Sequence, residues 1–327
     1  KWRPGILFFE RNSHVPTLKR LRYLVAVADT LHFRKAAILS NISQPTLSGQ
    51  LQELEEELGV QLVERSRSRV VLTPIGQEIA ARAKRILGEV NDIVELAKTG
   101  GVPFGGTIRI GVLPTVGPYL LPHLLPDLQR IYPHLKLYPR ERISQTLLDG
   151  LNDGTFDALL LPVPVSGADI LNAPLYSEPL LVAMAAGHPL ARKKTVDGAD
   201  LKDQVVLALE EGHRLHDQVR DICAQFGARM SLDFGGTSLD TLRLMVGMGM
   251  GLAFLPSLYV RSEIPKDHDV VTRPLRTRPP SREIGMVWRA HSARGVEYSI
   301  IVDLFRRVLS EKVPEVMSAR RSSSATS

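Results

Sequence analysis

The spacing of apolar residues predicts three helices near the start of the chain. Residues 18–29 carry apolar side chains at intervals of three and four, the spacing of one helix face, and residues 33–41 follow as a shorter helix. A third helix over residues 43–59 has clear end signals, since Ser43 is a favourable N-cap and Gly59 suits the left-handed residue that closes a helix. The chain therefore opens on a small helical unit.

The polar face of the third predicted helix carries short, uncharged side chains. Gln44, Thr46, Ser48 and Gln50 stand on the face opposite the leucines. Groups of this size and polarity suit hydrogen bonds to base edges in the major groove of DNA. The alternative is an ordinary solvent-exposed face, because a short polar motif has little specificity by itself.

An alternation of arginines after the third helix predicts a short β-hairpin. Arg65, Arg67 and Arg69 recur at a period of two, with a turn at residues 66–68, and such a wing can bind phosphates. The charge distribution agrees: the net charge is +6, and residues 1–100 hold 15 Lys and Arg against 11 Asp and Glu. A basic N-terminal region indicates nucleic acid as a partner.

A long amphipathic helix is predicted over residues 73–97. Its apolar residues recur at spacings of three and four and form a narrow seam, which is typical of a coiled-coil dimer. The seam consists of Ile75, Ile79, Ala83, Ile86, Val90, Ile93 and Ala97.

The remainder of the chain alternates strand and helix patterns after a glycine-rich hinge at residues 99–107. This alternation predicts parallel sheets with helices on both faces. Several strand-to-helix junctions carry hydroxyl groups, at the end of the sheet where ligands bind in such folds. The alternative is that these hydroxyls only cap their helices. They belong to Thr115, Ser144, Thr237 and Ser238.

Composition restricts the class of protein. No run of 18 apolar residues is present, so no membrane span is expected. The single cysteine, Cys223, permits no intrachain disulfide, which is typical of cytoplasmic proteins. We expect residues 1–16 to be a disordered leader and the Ser- and Arg-rich residues 313–327 to be a disordered tail.

Two segments resemble the DNA-binding and linker region of LysR-type transcriptional regulators. They are "AAILSNISQPTLSGQLQELEEELGVQLVERS" and "LTPIGQ". The resemblance implies an all-α winged helix-turn-helix, a long linker helix, and an α/β effector domain of two Rossmann-like subdomains resembling a periplasmic binding protein. The implied limits are 17–73 for the DNA-binding domain, 74–98 for the linker and dimerisation helix, 99–106 for the hinge, and 107–312 for the effector domain, with subdomain I at 107–177 and 283–312 and subdomain II at 178–282.

The same resemblance implies partners and contact residues. We expect the protein to bind double-stranded operator DNA as a homodimer or homotetramer, to contact RNA polymerase, and to need no cofactor. The residues expected at the DNA are Arg34, Ser43, Gln44, Pro45, Thr46, Ser48, Gln50, Arg65, Arg67 and Arg69.

Three further segments are similar to the peroxide-sensing OxyR branch of this family. They are "IGVLPTVGPYLLPHLLPDL", "LEEGHRLHDQ" and "TSLDTLRLMVGMGMGLAFLPSL". His213 and Asp217 match the sensing loop and helix of that branch, and Thr115 matches a residue that helps to hold peroxide there. By the same resemblance, the reactive cysteine corresponds to Arg214 and the resolving cysteine to Cys223.

This change removes the chemistry of the branch. Peroxide sensing needs a thiolate that attacks oxygen and a second thiol that traps the sulfenic acid, and arginine can do neither. Cys223 stands on an apolar helix face, which predicts a buried, inert thiol; an intermolecular disulfide is the alternative. No metal site is expected, because His213, His216 and Asp217 lack a further ligand.

Three roles are open to Arg214. It can pair with Asp217, which lies three residues further along the same helix. It can face the cleft and bind a small anion such as a carboxylate, phosphate or sulfate. The third alternative is a sensor held permanently in one state.

The predicted function is sequence-specific transcriptional regulation of the OxyR type, without two-cysteine peroxide sensing. The effector cleft is expected to contain Thr115, Ser144, His213, Arg214, Asp217, Thr237 and Ser238. The alternative is a small-molecule binding protein or an enzyme that uses the C-terminal α/β domain. The sequence presents no recognisable pair of nucleophile and base, which argues against catalysis.

Overall fold

The computed structural model describes residues 15–65, 70–98, 103–167, 169–276, 279–313 and 316–318. The chain divides into two compact units. The first comprises Lys1–Val94 with Asn152–Thr155, and the second comprises Glu95–Leu151 with Phe156–Ser327. Within the described ranges, none of the helices combines the length and apolar composition that a membrane span requires.

The first unit is a three-helix bundle followed by a two-stranded wing and the start of a long helix. Its core includes Leu24, Val27, Leu47, Leu51, Leu54 and Leu62, all of which are fully buried. The elements are α1 (Leu18–Thr30), α2 (Phe33–Leu39), α3 (Gln44–Leu58), β1 (Val63–Arg65), β2 (Val70–Leu72) and α4 (Pro74–Lys98).

The ends of α3 lie where the sequence predicts them. The Ser43 hydroxyl accepts a hydrogen bond from the Thr46 backbone N–H at 3.2 Å, which satisfies one of the free donors of the first turn. Gly59 closes the helix with a φ of 67°, a left-handed conformation that glycine adopts without steric cost. Both end signals are confirmed as caps.

The wing is attached to α3 through a carboxylate. Glu55 Oε1 accepts hydrogen bonds from the backbone N–H groups of Leu62 at 2.8 Å and Val63 at 3.0 Å. β1 pairs with β2 in antiparallel register, with Val63 opposite Leu72. The predicted turn at residues 66–68 lies outside the described residues.

Among its described residues, the second unit contains a ten-stranded sheet with helices packed on it. The order of its main strands is β4-β3-β5-β11-β6-β9-β7-β8, and β10 and β12 also pair with β6. The elements are β3 (Gly106–Val112), α5 (Gly117–Ile131), β4 (Leu135–Glu141), α6 (Ser144–Asn152), β5 (Ala158–Pro162), β6 (Ile170–Ala185), β7 (Val205–Leu209), α7 (Arg214–Phe226), β8 (Arg229–Gly236), α8 (Leu239–Gly247), β9 (Leu252–Pro256), α9 (Ser257–Glu263), β10 (Val270–Arg273), β11 (Ser281–Arg289), α10 (Gly295–Lys312) and β12 (Met317–Ser318).

Two hydrophobic cores divide this unit, and β6 runs through both. Leu175 and Tyr176 of β6 belong to the first core, together with residues of β3, β5, α5 and α10. Leu180 and Val182 belong to the second, with residues of β7, β9, α7 and α8. The strand is therefore the structural connection between two subdomains.

The sheet is mixed, whereas the sequence predicted parallel sheets. β3 runs parallel to β4 and β5, and β7 runs parallel to β8 and β9. β6 and β11 run antiparallel to each other and to their other neighbours, because the chain crosses between the subdomains once in each direction. The alternating pattern correctly indicated the parallel parts, but a pattern of alternation does not reveal the direction of a crossing strand.

The predicted disordered tail is wrong at its start. Val313 and Val316 are buried in the first core, and Met317–Ser318 pair with β6. These apolar side chains precede the Ser- and Arg-rich stretch on which the prediction rested, and their burial fixes the backbone. Residues 314–315 and 319–327 of the tail and positions 1–14 of the predicted leader lie outside the described residues.

Candidate functional site

A cleft of about 370 Å³ lies between the two subdomains of the second unit. The first turns of α7 form one side, and the ends of β3 and β5 and the start of β11 form the other. Thr115, His213, Arg214 and Asp217 line it together, so four of the seven predicted cleft residues meet there.

Arg214, the first residue of α7, reaches across this cleft. Its Nη1 donates a hydrogen bond to the carbonyl oxygen of Pro162, at the end of β5, over 2.8 Å. One turn further along α7, Gln218 Nε2 donates to the carbonyl oxygen of Ser281 over 2.8 Å. The first bond joins α7 to β5 in the opposite subdomain, and the second joins α7 to the start of β11.

Asp217 has other partners than Arg214. Its Oδ1 lies 3.0 Å from Arg220 Nη1 and 3.4 Å from His216 Nδ1. The pairing of Arg214 with Asp217, one of the three roles considered from the sequence, is therefore absent from the described contacts. The guanidinium of Arg214 instead lies in the cleft, with one of its five N–H donors directed to a backbone carbonyl.

A buried ion pair supports the floor of the cleft. Arg282 Nε donates to Glu178 Oε1 at 2.8 Å, and the two side chains are 5% and 0% exposed. Arg282 also donates to the Thr115 hydroxyl at 3.0 Å and to the Thr115 carbonyl at 2.8 Å. Glu178 Oε2 accepts from the backbone N–H of Leu258 at 3.1 Å. This pair connects β6, β11, the loop after β3 and the first turn of α9.

Sequence reasoning missed Arg282 and Glu178. The register of β6 and β11 places them directly opposite each other. Glu178 is the single charged residue of β6, and this is the signal that could have indicated a buried pair, since such charges are buried only with a partner.

His213 is the N-cap residue of α7 and is buried. Burial lowers the pKa of its imidazole, the nearby Glu210 opposes this effect, and His216 adds to it. The positive end of the helix dipole also disfavours an imidazolium at this position. His213 is therefore a neutral hydrogen-bonding group at neutral pH.

Cys223 lies on the inner face of α7 and belongs to the second core. Its side chain packs among apolar residues, and burial raises the pKa of its thiol to about 11. Such a thiol is almost entirely protonated at neutral pH and is a poor nucleophile. It does not line the cleft.

Three of the predicted hydroxyls are placed away from the cleft lining. Ser238 caps α8, with its Oγ accepting from the Thr241 N–H at 3.2 Å. Thr237 is exposed beside it, and the Ser144 Oγ is buried at the start of α6 without a hydrogen-bond partner among the described residues. Across the described ranges, no three His, Cys, Asp or Glu side chains cluster to hold a metal ion.

The polar face of α3 is open at its first turn. Gln44, Pro45 and Thr46 are exposed, while Ser48 and Gln50 are half-buried. Arg34 on α2 is exposed, and Arg65 ends β1. Arg67 and Arg69 lie outside the described residues.

The predicted seam of α4 is partly uncovered within a single chain. Ala83 is buried, whereas Ile86 and Ile93 are 46% and 66% exposed. Large apolar side chains at this exposure, repeated along one helix, favour a partner helix over solvent.

Comparison with known proteins gives matches over most of the chain. The profile described as "Bacterial regulatory helix-turn-helix protein, lysR family" matches residues 18–77, and "LysR substrate binding domain" matches residues 103–310. The "DNA-binding transcriptional dual regulator OxyR" of Escherichia coli strain K12 is 40% identical over 289 residues, which cover 88% of this chain and 94% of that protein.

Solved structures agree. Full-length OxyR from Pseudomonas aeruginosa with a cysteine-to-aspartate substitution is 38% identical, has a TM-score of 0.73, and is matched over 89% of this chain and 94% of that one. A cysteine-to-serine mutant of Corynebacterium glutamicum OxyR, with H2O2 bound, is 32% identical at a TM-score of 0.63, with 93% and 95% covered.

Proposed function

Because the chain belongs to the LysR family of bacterial transcriptional regulators and is OxyR-like in sequence and structure, we propose that it regulates transcription in response to a small anion in the cleft, and not by oxidation of a thiol at the start of α7. The single observation that carries this proposal is the Arg214 guanidinium in the cleft, where a thiol is required for peroxide chemistry. Its relatives include proteins named "Hydrogen peroxide-inducible genes activator", so we place its targets in oxidative-stress regulation.

The helix-turn-helix binds operator DNA through two kinds of contact. α3 enters the major groove with Ser43, Gln44, Pro45, Thr46, Ser48 and Gln50 directed to the bases, while Arg34 and the wing residues Arg65, Arg67 and Arg69 hold phosphates. The exposure of the first turn of α3 supports this assignment.

The two kinds of contact give different mutational signatures. Arg65→Ala should weaken binding to all sequences and reduce the salt dependence by about one ion. Gln44→Ala should change the preference among operator variants, because a base contact is lost and not a phosphate contact. Unchanged preference in Gln44→Ala would mean that α3 does not read bases through this residue.

The protein acts as a homodimer or homotetramer assembled through α4, and it contacts RNA polymerase at its promoters. The exposed Ile86 and Ile93 support the α4 interface. Its place of action is the cytoplasm, where operator DNA is found, and catalysis has no part in its function.

The ligand is a small anion for electrostatic reasons. Arg214 uses one N–H for Pro162, and its remaining donors have no partner among the described residues. The Thr115 hydroxyl and the neutral His213 stand in the same cleft and can complete the binding of an oxyanion. The carboxylates of Asp221 and Glu283 also line the cleft, so a large polyanion is disfavoured.

A second candidate function is a regulator held permanently in one state. The bonds of Arg214 and Gln218 favour it, because they tie α7 to β5 and to the start of β11 through the protein's own groups. In that case anions leave the protein unchanged, and only loss of the bonds alters its affinity for DNA.

A thermal-shift titration separates these functions. Phosphate, sulfate and acetate are added to the purified protein, to Arg214→Ala and to the control Arg192→Ala, which removes an exposed arginine of the same unit. A small anion should raise the melting temperature of the unchanged protein and of the control, but not of Arg214→Ala. Equal shifts in all three proteins would contradict an anion site at Arg214, and no shift in any would favour the locked state.

A further inference from the structure

We propose that Arg20, on α1 and outside the DNA-reading face, positions Gln50 of the recognition helix and thereby sets its base preference. The connection runs through Glu53 of α3, which is bonded to both residues. This inference rests on the proposed placement of α3 in the major groove. Arg20 is a positioning residue in this account and touches no DNA.

Arg20 joins α1 to α3 by a forked contact. Its Nη2 donates to Glu53 Oε2 and its Nη1 donates to Glu57 Oε1, two carboxylates one helical turn apart on α3. The planar guanidinium can engage both at once, which an ammonium group cannot do with fixed geometry. The side chain of Arg20 is only 18% exposed, so packing between the helices restricts it further.

The Glu53 carboxylate, held by Arg20, in turn orients the side chain of Gln50. Gln50 Nε2 donates to Glu53 Oε2 at 3.0 Å, the same oxygen that accepts from Arg20. With its amino group directed to Glu53, the Gln50 amide turns its Oε1 to the other side as an acceptor. An acceptor reads the exocyclic amines of adenine or cytosine in the major groove.

Loss of the Arg20 contact leaves the side chains of Glu53 and Gln50 free to change conformation. An exposed glutamate without a fixed partner samples several rotamers, and the Gln50 amide can then present either its donor or its acceptor. Base preference at the contacted position should fall, while contacts to phosphates remain. The simpler alternative is that Arg20 only clamps α1 to α3, in which case its loss weakens binding to every sequence equally.

Glu53 and Glu57 separate the two alternatives, because each forms one arm of the fork. Glu53→Ala removes the anchor of Gln50 and leaves the Arg20–Glu57 bond between the helices. Glu57→Ala removes the other arm and leaves Gln50 bonded. A clamp makes the two variants equivalent, whereas positioning makes only Glu53→Ala change base preference.

The experiment measures binding of the full chain to an operator fragment and to fragments with each base pair substituted in turn. Fluorescence anisotropy is recorded for the unchanged protein, Gln50→Ala, Glu53→Ala, Glu57→Ala and Arg20→Ala. Arg22→Ala is the control, since it removes an exposed arginine of α1 that has no described contact with α3. Gln50→Ala, Glu53→Ala and Arg20→Ala should each lose about tenfold discrimination at the same base pair.

Glu57→Ala and Arg22→Ala should keep the base preference of the unchanged protein. Arg20→Lys should keep part of the base preference that Arg20→Ala loses. If Gln50→Ala changes the pattern while Glu53→Ala and Arg20→Ala do not, the positioning role is overturned and the placement of α3 stands. If Gln50→Ala itself leaves the pattern unchanged, Gln50 does not read that base, and both the inference and this part of the proposed function fail.

Discussion

Arg282→Ala should strongly destabilise the second unit, because it leaves a buried carboxylate without its counter-charge. Glu178 is 0% exposed, and its partner Arg282 is 5% exposed by side chain. After the substitution, the one remaining described hydrogen bond to the Glu178 carboxylate is the Leu258 N–H at 3.1 Å. The Thr115 hydroxyl and carbonyl lose donors at the same time.

The magnitude follows from the cost of breaking a buried ion pair. Removal of one partner typically costs about 3–5 kcal/mol, most of it the penalty of the uncompensated charge. For a unit of this size, each kcal/mol lowers the melting temperature by roughly 2–4 °C. We therefore expect Arg282→Ala to melt about 10 °C below the unchanged protein.

The double variant Glu178→Met with Arg282→Met provides the matched control. It removes both charges and keeps apolar volume in their place, which is often neutral or stabilising for a buried pair. Its melting temperature should lie well above that of Arg282→Ala. Thermal unfolding is followed by circular dichroism at a single protein concentration for all three proteins. The reasoning would be refuted if the free energy of unfolding of Arg282→Ala lay within about 1 kcal/mol of that of the unchanged protein. It would also be refuted if the double variant melted as low as Arg282→Ala.

Three further predictions concern α7 and α4. Burial lowers the pKa of His213, so the unfolded chain binds the proton more readily than the folded protein does. The free energy of unfolding should therefore be highest above about pH 6.5 and should fall as the pH falls below that value. Urea unfolding of His213→Asn should show a flatter dependence of this free energy on pH. Cys223, with a thiol pKa of about 11, should react with iodoacetamide at pH 8 roughly a thousandfold more slowly than a fully ionised thiol, and rapid labelling of the native protein would contradict its burial. Ile86→Glu places a charge on the exposed seam of α4 and should give smaller particles and weaker operator binding in sedimentation and anisotropy experiments, whereas an unchanged sedimentation coefficient would count against the seam.

Local signals in the sequence were sufficient for the four helices α1 to α4. Ser43 and Gly59 predicted the ends of α3 because helix caps depend on residues within one turn. The antiparallel crossing of β6 could not be predicted in this way, since its 16 residues serve two cores and its direction is set by the far subdomain. Burial of Val316 likewise depends on a surface formed by distant parts of the chain.

Three of the four predicted residues that line the cleft come from one element, and the fourth, Thr115, was predicted from its place at a strand-to-helix junction and from the resemblance. His213, Arg214 and Asp217 come from the start of α7, and their grouping follows from helix geometry. Arg282 was missed because its role arises from strand register with Glu178, over a separation of 104 residues. The partner of Arg214 is a backbone carbonyl, which no side-chain pattern indicates. The domain limits and the DNA-contacting residues stay predictions.

Footprinting of the operator before and after peroxide treatment tests the claim that this protein does not sense peroxide through a thiol. The purified protein is reduced, bound to operator DNA, exposed to hydrogen peroxide, and then returned to a thiol reductant. Since the sequence holds one cysteine, Cys223, and its thiol is buried, the footprint length and the apparent affinity should be the same at each stage. A footprint that changes with peroxide and reverts with the reductant would contradict the claim and make Cys223 the sensor, acting between chains.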